Sequence, residues 1–554
     1  METKIQVVKR LITNYLQSVQ ISSPKDFEDI APGVMNIRNA EYDAHNTAHP
    51  KDEKWKKRDS LEYFEIVLIL KNLFVIRQVS FDDNDSRYSC ELCILIDKNL
   101  VAVLPSKAND IGIYRPADEM LRLLARMLDE GIRSYDCDEI IKSLQDNAPV
   151  IRRTIDKNLI PLKNGVFIYN KKELRDYNDE DVFICKSKVS YNPKAKNITI
   201  HNANDGTDWD VESWMMELAD GDKEICNVLW EVTGALLRPF VSWNKSAWLY
   251  STKGNNGKGT LCEMYRSILG DGSFCSIPLD KMGDAFALEG LTNSNAIIVD
   301  ENDVGTYIDK AANLKALITN DVITVTRKFK TSLYVKFRGF MVQCLNSYPC
   351  FQDHSDSLYR RQLFIPMNAC FTGAERKYIK EDYVHRQEVL EYVVYRVLNM
   401  NYENLSEPLA CKLALKDFAE MNDPVLCFWS EIRNEVRWNL LPFTFLYALY
   451  KQWIARNKPN GKVIGKNQFM KRMEEIVGND SDWMCRGTNI QIPVNKSNMD
   501  GPEPLIKQYN LVEWMNDSYK GSNINEICTP VLKSKYSGIE RLNPLQIDAN
   551  VTSK

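Results

Sequence analysis

Between Ala247 and Thr260 an apolar run, Ala247-Trp248-Leu249-Tyr250, passes straight into Ser251-Thr252-Lys253-Gly254-Asn255-Asn256-Gly257-Lys258-Gly259-Thr260, and residues 261–269 then take helical spacing. That order demands a buried strand, a turn whose residues tolerate left-handed backbone, and a helix whose first turn offers unpaired N–H groups. An α/β layer accommodates it, with the strand inside a sheet and the helix on one face. The region 245–367 continues to alternate apolar strands with helices, which predicts a mostly parallel sheet covered on both sides.

Strand, glycine-rich turn, lysine and helix together form a triphosphate cradle. Glycines let backbone N–H groups converge on phosphates, and the helix start adds a favourable dipole. Gly254, Asn255, Asn256, Gly257, Lys258, Gly259 and Thr260 are the expected ATP-binding residues, with Lys258 on the β and γ phosphates. The passage departs from G-x-x-x-x-G-K-[ST] twice: Thr252 stands at the first glycine, and Gly259 stands where a hydroxyl normally ligates magnesium. Thr260 is next in line for that ligand. Read alone, the loop has a polar turn with a solvated lysine as its lesser alternative.

A second stretch strengthens the cradle. Asn295-Ala296-Ile297-Ile298-Val299-Asp300-Glu301 is a buried-type strand ending in two carboxylates, 42 residues after Lys258. Hydrolysis of a nucleoside triphosphate needs one carboxylate to organise magnesium and a second group to orient water. Asp300 is expected to serve the metal and Glu301 to act as base. The strand at 339–345 ends at Asn346, whose amide suits the γ phosphate or the attacking water. Arg360 and Arg361 stand directly before another apolar strand; a permanently charged, forked guanidinium can stabilise a transferring phosphoryl group from a neighbouring subunit, and a structural ion pair is the alternative for one of the two.

Residues 322–338 alternate on both sides of a polar tip and carry five basic residues and no acid, the pattern of a hairpin. Lys328, Phe329 and Lys330 suit a strand of nucleic acid, with charge on phosphates and the ring against a base or sugar. A basic edge that blocks strand-to-strand association is the alternative.

Taken as a set, Gly254 to Thr260, residues 297–303, 315–330, Asn346 and Tyr359-Arg360-Arg361 resemble superfamily 3 helicases, and within them the phage, plasmid and poxvirus primase-helicase group. Residues 159–166 and 214–237 are similar to the helical domain that precedes the ATPase there. The resemblance implies an AAA+ core assembled as a homohexameric ring, ATP at subunit boundaries, an arginine supplied in trans, single-stranded DNA in a central channel gripped by Lys328 and Lys330, and 3′ to 5′ translocation. It also implies a self-loading initiator of a mobile element.

The remaining chain is organised around this centre. A length of 554 residues calls for about two to four domains. We divide it into 1–115, of unassigned role, with strand-like runs at 62–79 and 89–104; a helical domain at 116–240, including a hairpin through Lys163-Asn164-Gly165; the ATPase at 241–400; a winged-helix-like module at 401–500; and an extension at 501–554. In the module, Phe443, Leu446, Tyr447, Tyr450, Trp453 and Ile454 share one helical face, a second helix near 466–477 turns Lys466, Asn467, Lys471 and Arg472 outward, and Gln491 follows on a β-ribbon. Residues 440–496 hold nine basic and four acidic residues, net +5 in a chain of net charge -4, so duplex origin DNA is the expected ligand and a packing module the alternative.

No apolar run approaches the roughly 20 residues that cross a bilayer, and the 14 cysteines are scattered apart from Cys90 and Cys93, so a reduced, cytoplasmic protein without a membrane partner is expected. Priming would need another acidic and histidine site. The clearest acidic cluster, Asp82-Asp83-Asn84-Asp85, sits in a turn-like setting, so helicase without primase is the reading. A primase-helicase, an AAA+ protein remodeller, and an origin-binding protein with a decayed nucleotide site are the alternatives, the last suggested by Thr252 and Gly259.

Overall fold

The structure, a computed structural model, describes residues 2–543 apart from 82–88, 285, 304–306, 309–310, 329, 352, 374, 458–462 and 479. The acidic cluster at 82–85 and the ring of Phe329 therefore lie outside the described residues. The chain divides into two compact units, Met1–Leu415 and Lys416–Lys554.

In the first unit, helices Lys4–Gln17, Ile30–Ala48 and Tyr63–Leu73 cover a sheet whose strand order is Tyr114–Pro116, Cys90–Leu95, Ile76–Ser80, Val150–Arg152. Residues 63–73, expected as strand, are helical. Glu62 and Glu65 make reciprocal capping bonds at the start, and Glu65, Ile66, Val67, Ile69 and Leu70 are all buried. A helix buried on most sides lacks the polar stripe that would betray its period, which is why the run reads as a strand. Cys90 and Cys93 do fall on a strand. Three residues apart, their side chains leave opposite faces, so they cannot share a ligand.

Helices Asp118–Leu128 and Ser134–Asn147 were expected to open a separate domain after residue 115. They instead join the N-terminal core: Leu121, Leu124, Ile140 and Leu144 pack with Val8, Ile12, Ile66 and Leu92. One polar lock lies inside that core. Arg38 donates to Glu65 at 2.7 Å, both side chains being almost fully buried, and Glu65 also accepts from the Glu62 N–H at 2.8 Å. Burial pushes the Glu65 carboxyl up, against the Glu62 N–H and the Arg38 charge, which pull it down.

The hairpin expected near Asn164 forms from Leu159–Leu162 and Gly165–Ile168. Beyond it, Val211–Leu218 and Lys223–Leu237 lead into a five-stranded, wholly parallel sheet ordered Phe274–Cys275, Ala296–Val299, Phe340–Leu345, Ser246–Tyr250, Gln362–Pro366. The Lys223–Leu237 helix and the Gln387–Leu398 helix share one apolar core with this sheet, through Leu229, Val232, Leu249, Val342, Ile365, Val393 and Val397. Parallel strands buried on both faces are continuous apolar runs, as these are.

The second unit has its own core around Phe428, Trp438, Leu446, Tyr450, Trp453, Phe469 and Trp483. Helices Pro424–Ile432, Phe443–Asn457 and Lys466–Val477 accompany a three-stranded sheet, Leu440–Pro442, Gly538–Arg541, Trp483–Cys485. The segment after 501, expected as a mere extension, thus supplies the middle strand. Strands of two to four residues show too little alternation to be read in advance.

Removing one partner of a buried ion pair costs about 3–5 kcal/mol, because the other charge is left desolvated and alone. Arg38→Met should therefore strip hydrogen-exchange protection from residues 63–73 while leaving the Ser246–Tyr250 strand protected. Unchanged exchange in the 63–73 helix refutes the lock.

Candidate active site

In an all-parallel sheet every strand ends at the same edge, and the loops that follow Tyr250, Val299, Leu345 and Pro366 meet there. The first of these is the glycine-rich turn. Asn255 and Gly257 take positive φ, 56° and 81°, and Gly257 sits directly before the Lys258–Leu269 helix. The left-handed backbone favours glycine at 257, and a Cβ there would fall 2.3 Å from Leu218 Cδ2, so that side chain would have to move for any other residue. Asn256 is buried and bridges the turn, donating to the Lys253 carbonyl at 2.6 Å and accepting from the Lys258 N–H at 3.4 Å. Asn255 donates to Glu375 at 2.6 Å, and its carbonyl accepts from the Phe371 N–H at 2.8 Å. Gly254 has open space where a side chain would stand. A cleft of about 250 Å³ opens beside the turn, lined by Trp214, Asn255, Gly257, Thr260, Phe371 and Lys380.

Lys258 points at the neighbouring strand end, where its Nζ donates to Asn346 Oδ1 at 3.0 Å. Burial lowers the Lys258 pKa, the cost of holding an ammonium in a pocket without a counter-anion. Two of the three separated stretches therefore touch. The third lies at the end of Ala296–Val299, one strand further along the sheet. Asp300 pairs with Arg266, on the same helix as Lys258, at 2.9 Å. Burial raises its carboxyl, but the Arg266 hydrogen bond and charge, with Lys380 beyond, hold it below the ordinary carboxylate value. Glu301 is exposed.

The residue that fixes this loop escaped the sequence reading. Asn302 is buried; its amide donates to Gln343 Oε1 and to the Cys344 carbonyl, both at 3.0 Å, and its Oδ1 accepts from the Leu279 N–H at 3.0 Å. Gln343 is fully buried in the Phe340–Leu345 strand. A glutamine in the middle of an apolar strand is the signal that a polar partner was needed, since a buried amide must be satisfied.

The two arginines separate. Arg360 is exposed and only 3.9 Å from Asp356, a loose surface pair. Arg361 folds back, its guanidinium donating to the Ser357 carbonyl, and its own carbonyl accepts from the Ser246 N–H at 2.9 Å. Both precede Gln362–Pro366, which pairs in parallel with Ser246–Tyr250, Ser246 opposite Gln362 and Tyr250 opposite Pro366. They are therefore at the far end of the strands from the chain's own phosphate loop, about 13 Å away at ~3.3 Å per residue.

Residues 249–361, from the phosphate-loop strand to Arg361, match a family of unknown function, DUF5906, and residues 420–517 match the poxvirus D5 protein-like family. These two stretches make the chain similar to the poxvirus D5-like superfamily 3 helicases. Among solved structures it is similar to the apo A form of the NrS-1 C-terminal region, at 13% identity and a TM-score of 0.38 over 79% of this chain and 88% of that one, and to a further apo structure of that region (305–718) at 13% identity and 0.39 over the same shares. No curated protein matches the chain. The D5-like helicases are nucleoside triphosphatases, and the similarity points to nucleoside triphosphate binding.

Besides the glycine-rich turn, the chain carries the basic hairpin. Val322–Val325 and Leu333–Lys336 pair as read. Its tip is docked on the N-terminal domain: Arg327 pairs with Glu91 at 2.8 Å, and Lys330 with Asp118 at 2.7 Å and Glu91 at 3.6 Å. The Lys336 N–H donates to the Phe81 carbonyl at 3.0 Å. Lys328 is exposed. In the second unit, Lys466, Asn467, Lys471 and Gln491 are exposed, but Arg472 is not turned outward. Its Nε pairs at 2.7 Å with Asp423, a buried carboxylate that caps the Pro424–Ile432 helix and would otherwise lack a counter-charge. Among the described residues no helix is long and apolar enough to cross a membrane.

Proposed function

We propose that the chain is an ATP-driven DNA helicase whose AAA+ subunits close into a ring. The observation that carries this reading is the meeting of Lys258, Asn346 and the Asp300 loop at one edge of a parallel sheet, with the hydrogen bond between Lys258 and Asn346 joining two of the three. The N–H groups of Gly254 to Thr260 cradle the phosphates, and Lys258 moves its hydrogen bond from Asn346 to the β and γ oxygens. Asn346 is then free to sense the γ phosphate. Exposed Glu301 takes the proton of the attacking water as the γ phosphorus leaves the bridging oxygen and ADP departs.

The donor set at the strand edge fits magnesium, a hard cation satisfied by one carboxylate together with phosphate oxygens and water. Asp300 would hold it, exchanging Arg266 for the metal, and Thr260 is the first hydroxyl along the helix after Lys258. When bound, the metal neutralises charge on the β and γ oxygens.

Arg360 serves a neighbouring subunit. It is exposed at the opposite end of the strands from its own phosphate loop, so only a second copy can bring it to a nucleotide, which supports the ring. Arg361, folded onto its own chain, positions the segment before the strand. Single-stranded DNA passes along Lys328, Phe329 and Lys330, translocation runs 3′ to 5′, and the exposed Lys466, Asn467 and Lys471 of a winged-helix-like unit read duplex DNA at an origin, as in a self-loading initiator of a mobile element.

Lys258→Ala should lower ATP turnover by at least 100-fold while hydrogen exchange in the sheet stays unchanged; ordinary turnover in that variant removes the phosphate-loop assignment. Subunits carrying Lys258→Ala mixed with subunits carrying Arg360→Ala should recover activity that neither has alone, because intact sites then form at mixed boundaries. A mixture as inactive as its components argues against trans action. Glu91 and Asp118 hold cations that DNA phosphates need, so Glu91→Gln with Asp118→Asn should tighten binding of a single-stranded oligonucleotide about tenfold at low salt, on the scale of one or two ion pairs. Equal affinity for both proteins refutes the competition.

A further inference from the structure

Two lysines that no motif assigns line the cleft beside the glycine-rich turn, Lys377 and Lys380, and Lys380 is the one that comes up to the turn. Lys380 comes from the short Lys377–Glu381 helix, anchored by buried Ile379 against the core that includes the Lys258 helix. Its Nζ stands 3.7 Å from the point where a Cβ on Gly259 would be, and it lines the same cleft as Gly257 and Thr260. Two of its charged neighbours are tied down. Arg376 pairs with Glu217 at 2.6 Å and Glu375 accepts from Asn255 at 2.6 Å, whereas Lys380 makes no ion pair within 4 Å among the described residues. The charge is felt across the site, since Lys380 is among the groups that pull the Asp300 carboxyl down.

We infer that Lys380 is a second phosphate-binding cation, acting in cis on the polyphosphate of a nucleoside di- or triphosphate seated over Gly257 to Thr260. This rests on the phosphate-loop reading above and deepens it. The residue after the cradle lysine ordinarily carries a hydroxyl on this side of the helix start. Gly259 carries none, and the ammonium of Lys380 comes up to the space so left. Lys258 then holds the phosphates from the sheet side and Lys380 from the cleft side, both against the positive end of a 12-residue helix. The departure at Gly259 is therefore an exchange of one phosphate-side group for another and not a sign of decay. The 3.7 Å clearance is ordinary contact, so a small side chain at 259 fits the backbone and competes with Lys380 for the same place.

The test uses the full chain and N-methylanthraniloyl-ADP and -ATP, with inorganic tripolyphosphate as competitor. Lys380→Met should weaken both nucleotides at least tenfold and weaken tripolyphosphate competition equally, and Lys380→Arg should stay within about threefold of the unaltered protein, on the scale of a charge-assisted hydrogen bond. Lys258→Ala is titrated alongside. If Lys258→Ala weakens binding and Lys380→Met does not, this inference falls and the phosphate loop stands; if neither does, both fall. A loss in Lys380→Met that Lys380→Arg fails to restore also overturns it, because packing and not charge would then be at work.

Discussion

The site depends on the direction of its strands. Five parallel strands end at one edge, so residues 88 apart in sequence, Lys258 and Asn346, can share a hydrogen bond of 3.0 Å without either loop being long. The edge would still be imprecise if its loops were free to move. Buried polar contacts restrain them: Asn302 ties the Asp300 loop to Gln343 and the Cys344 carbonyl, and Asn256 ties the phosphate turn to itself. Such amides cost free energy unless every donor and acceptor finds a partner, and a fully satisfied set admits a single arrangement. The geometry of this edge therefore comes from asparagine and glutamine side chains behind it.

The same strand direction separates the arginines from the cradle. A group at the start of the Gln362–Pro366 strand lies a full strand length from the loop at its end, which supports the proposed supply of Arg360 to another copy. The pair itself divides: the exposed guanidinium is available to another copy, and the one bonded to Ser357 is not.

How much of this was legible in the sequence follows from where the signals lie. The glycine-rich turn before a helix and the strands that end before Asp300 and Asn346 were readable because each is a local pattern at the end of an apolar run, and period and turn chemistry survive without a fold. The 63–73 helix was misread because burial on most sides removes the stripe that distinguishes period 3.6 from a strand. The boundary at 115 failed because helical spacing tells that Leu121 and Leu124 are buried, not that their partners are Val8 and Leu92 over a hundred positions earlier and nearer. Arg472 was placed outward by its position on the helix, yet a buried Asp423 of another helix claims it, and nothing within 466–477 announces that carboxylate. Asn302 and Gln343 were visible as letters; their meaning required the adjacency of two strands.

Charge is deployed by the same logic. With a net charge of -4 the chain has no general attraction for nucleic acid, and any affinity must come from local cations. Several of those cations already have partners: Arg327 and Lys330 on Glu91 and Asp118, Arg266 on Asp300, Arg472 on Asp423. For Arg327, Lys330 and Arg266 the reading proposed here is that each pair is a resting partner exchanged on binding, for DNA phosphates at the hairpin and for magnesium at Asp300. An exchange keeps the moving cation paired throughout, while the carboxylate it leaves, buried Glu91 above all, has to be met by water or another cation. Lys258 follows the same rule with a neutral partner, resting on Asn346 until a phosphate takes its place. The site is thus held near its working geometry before any ligand arrives, and binding spends little on reorganisation.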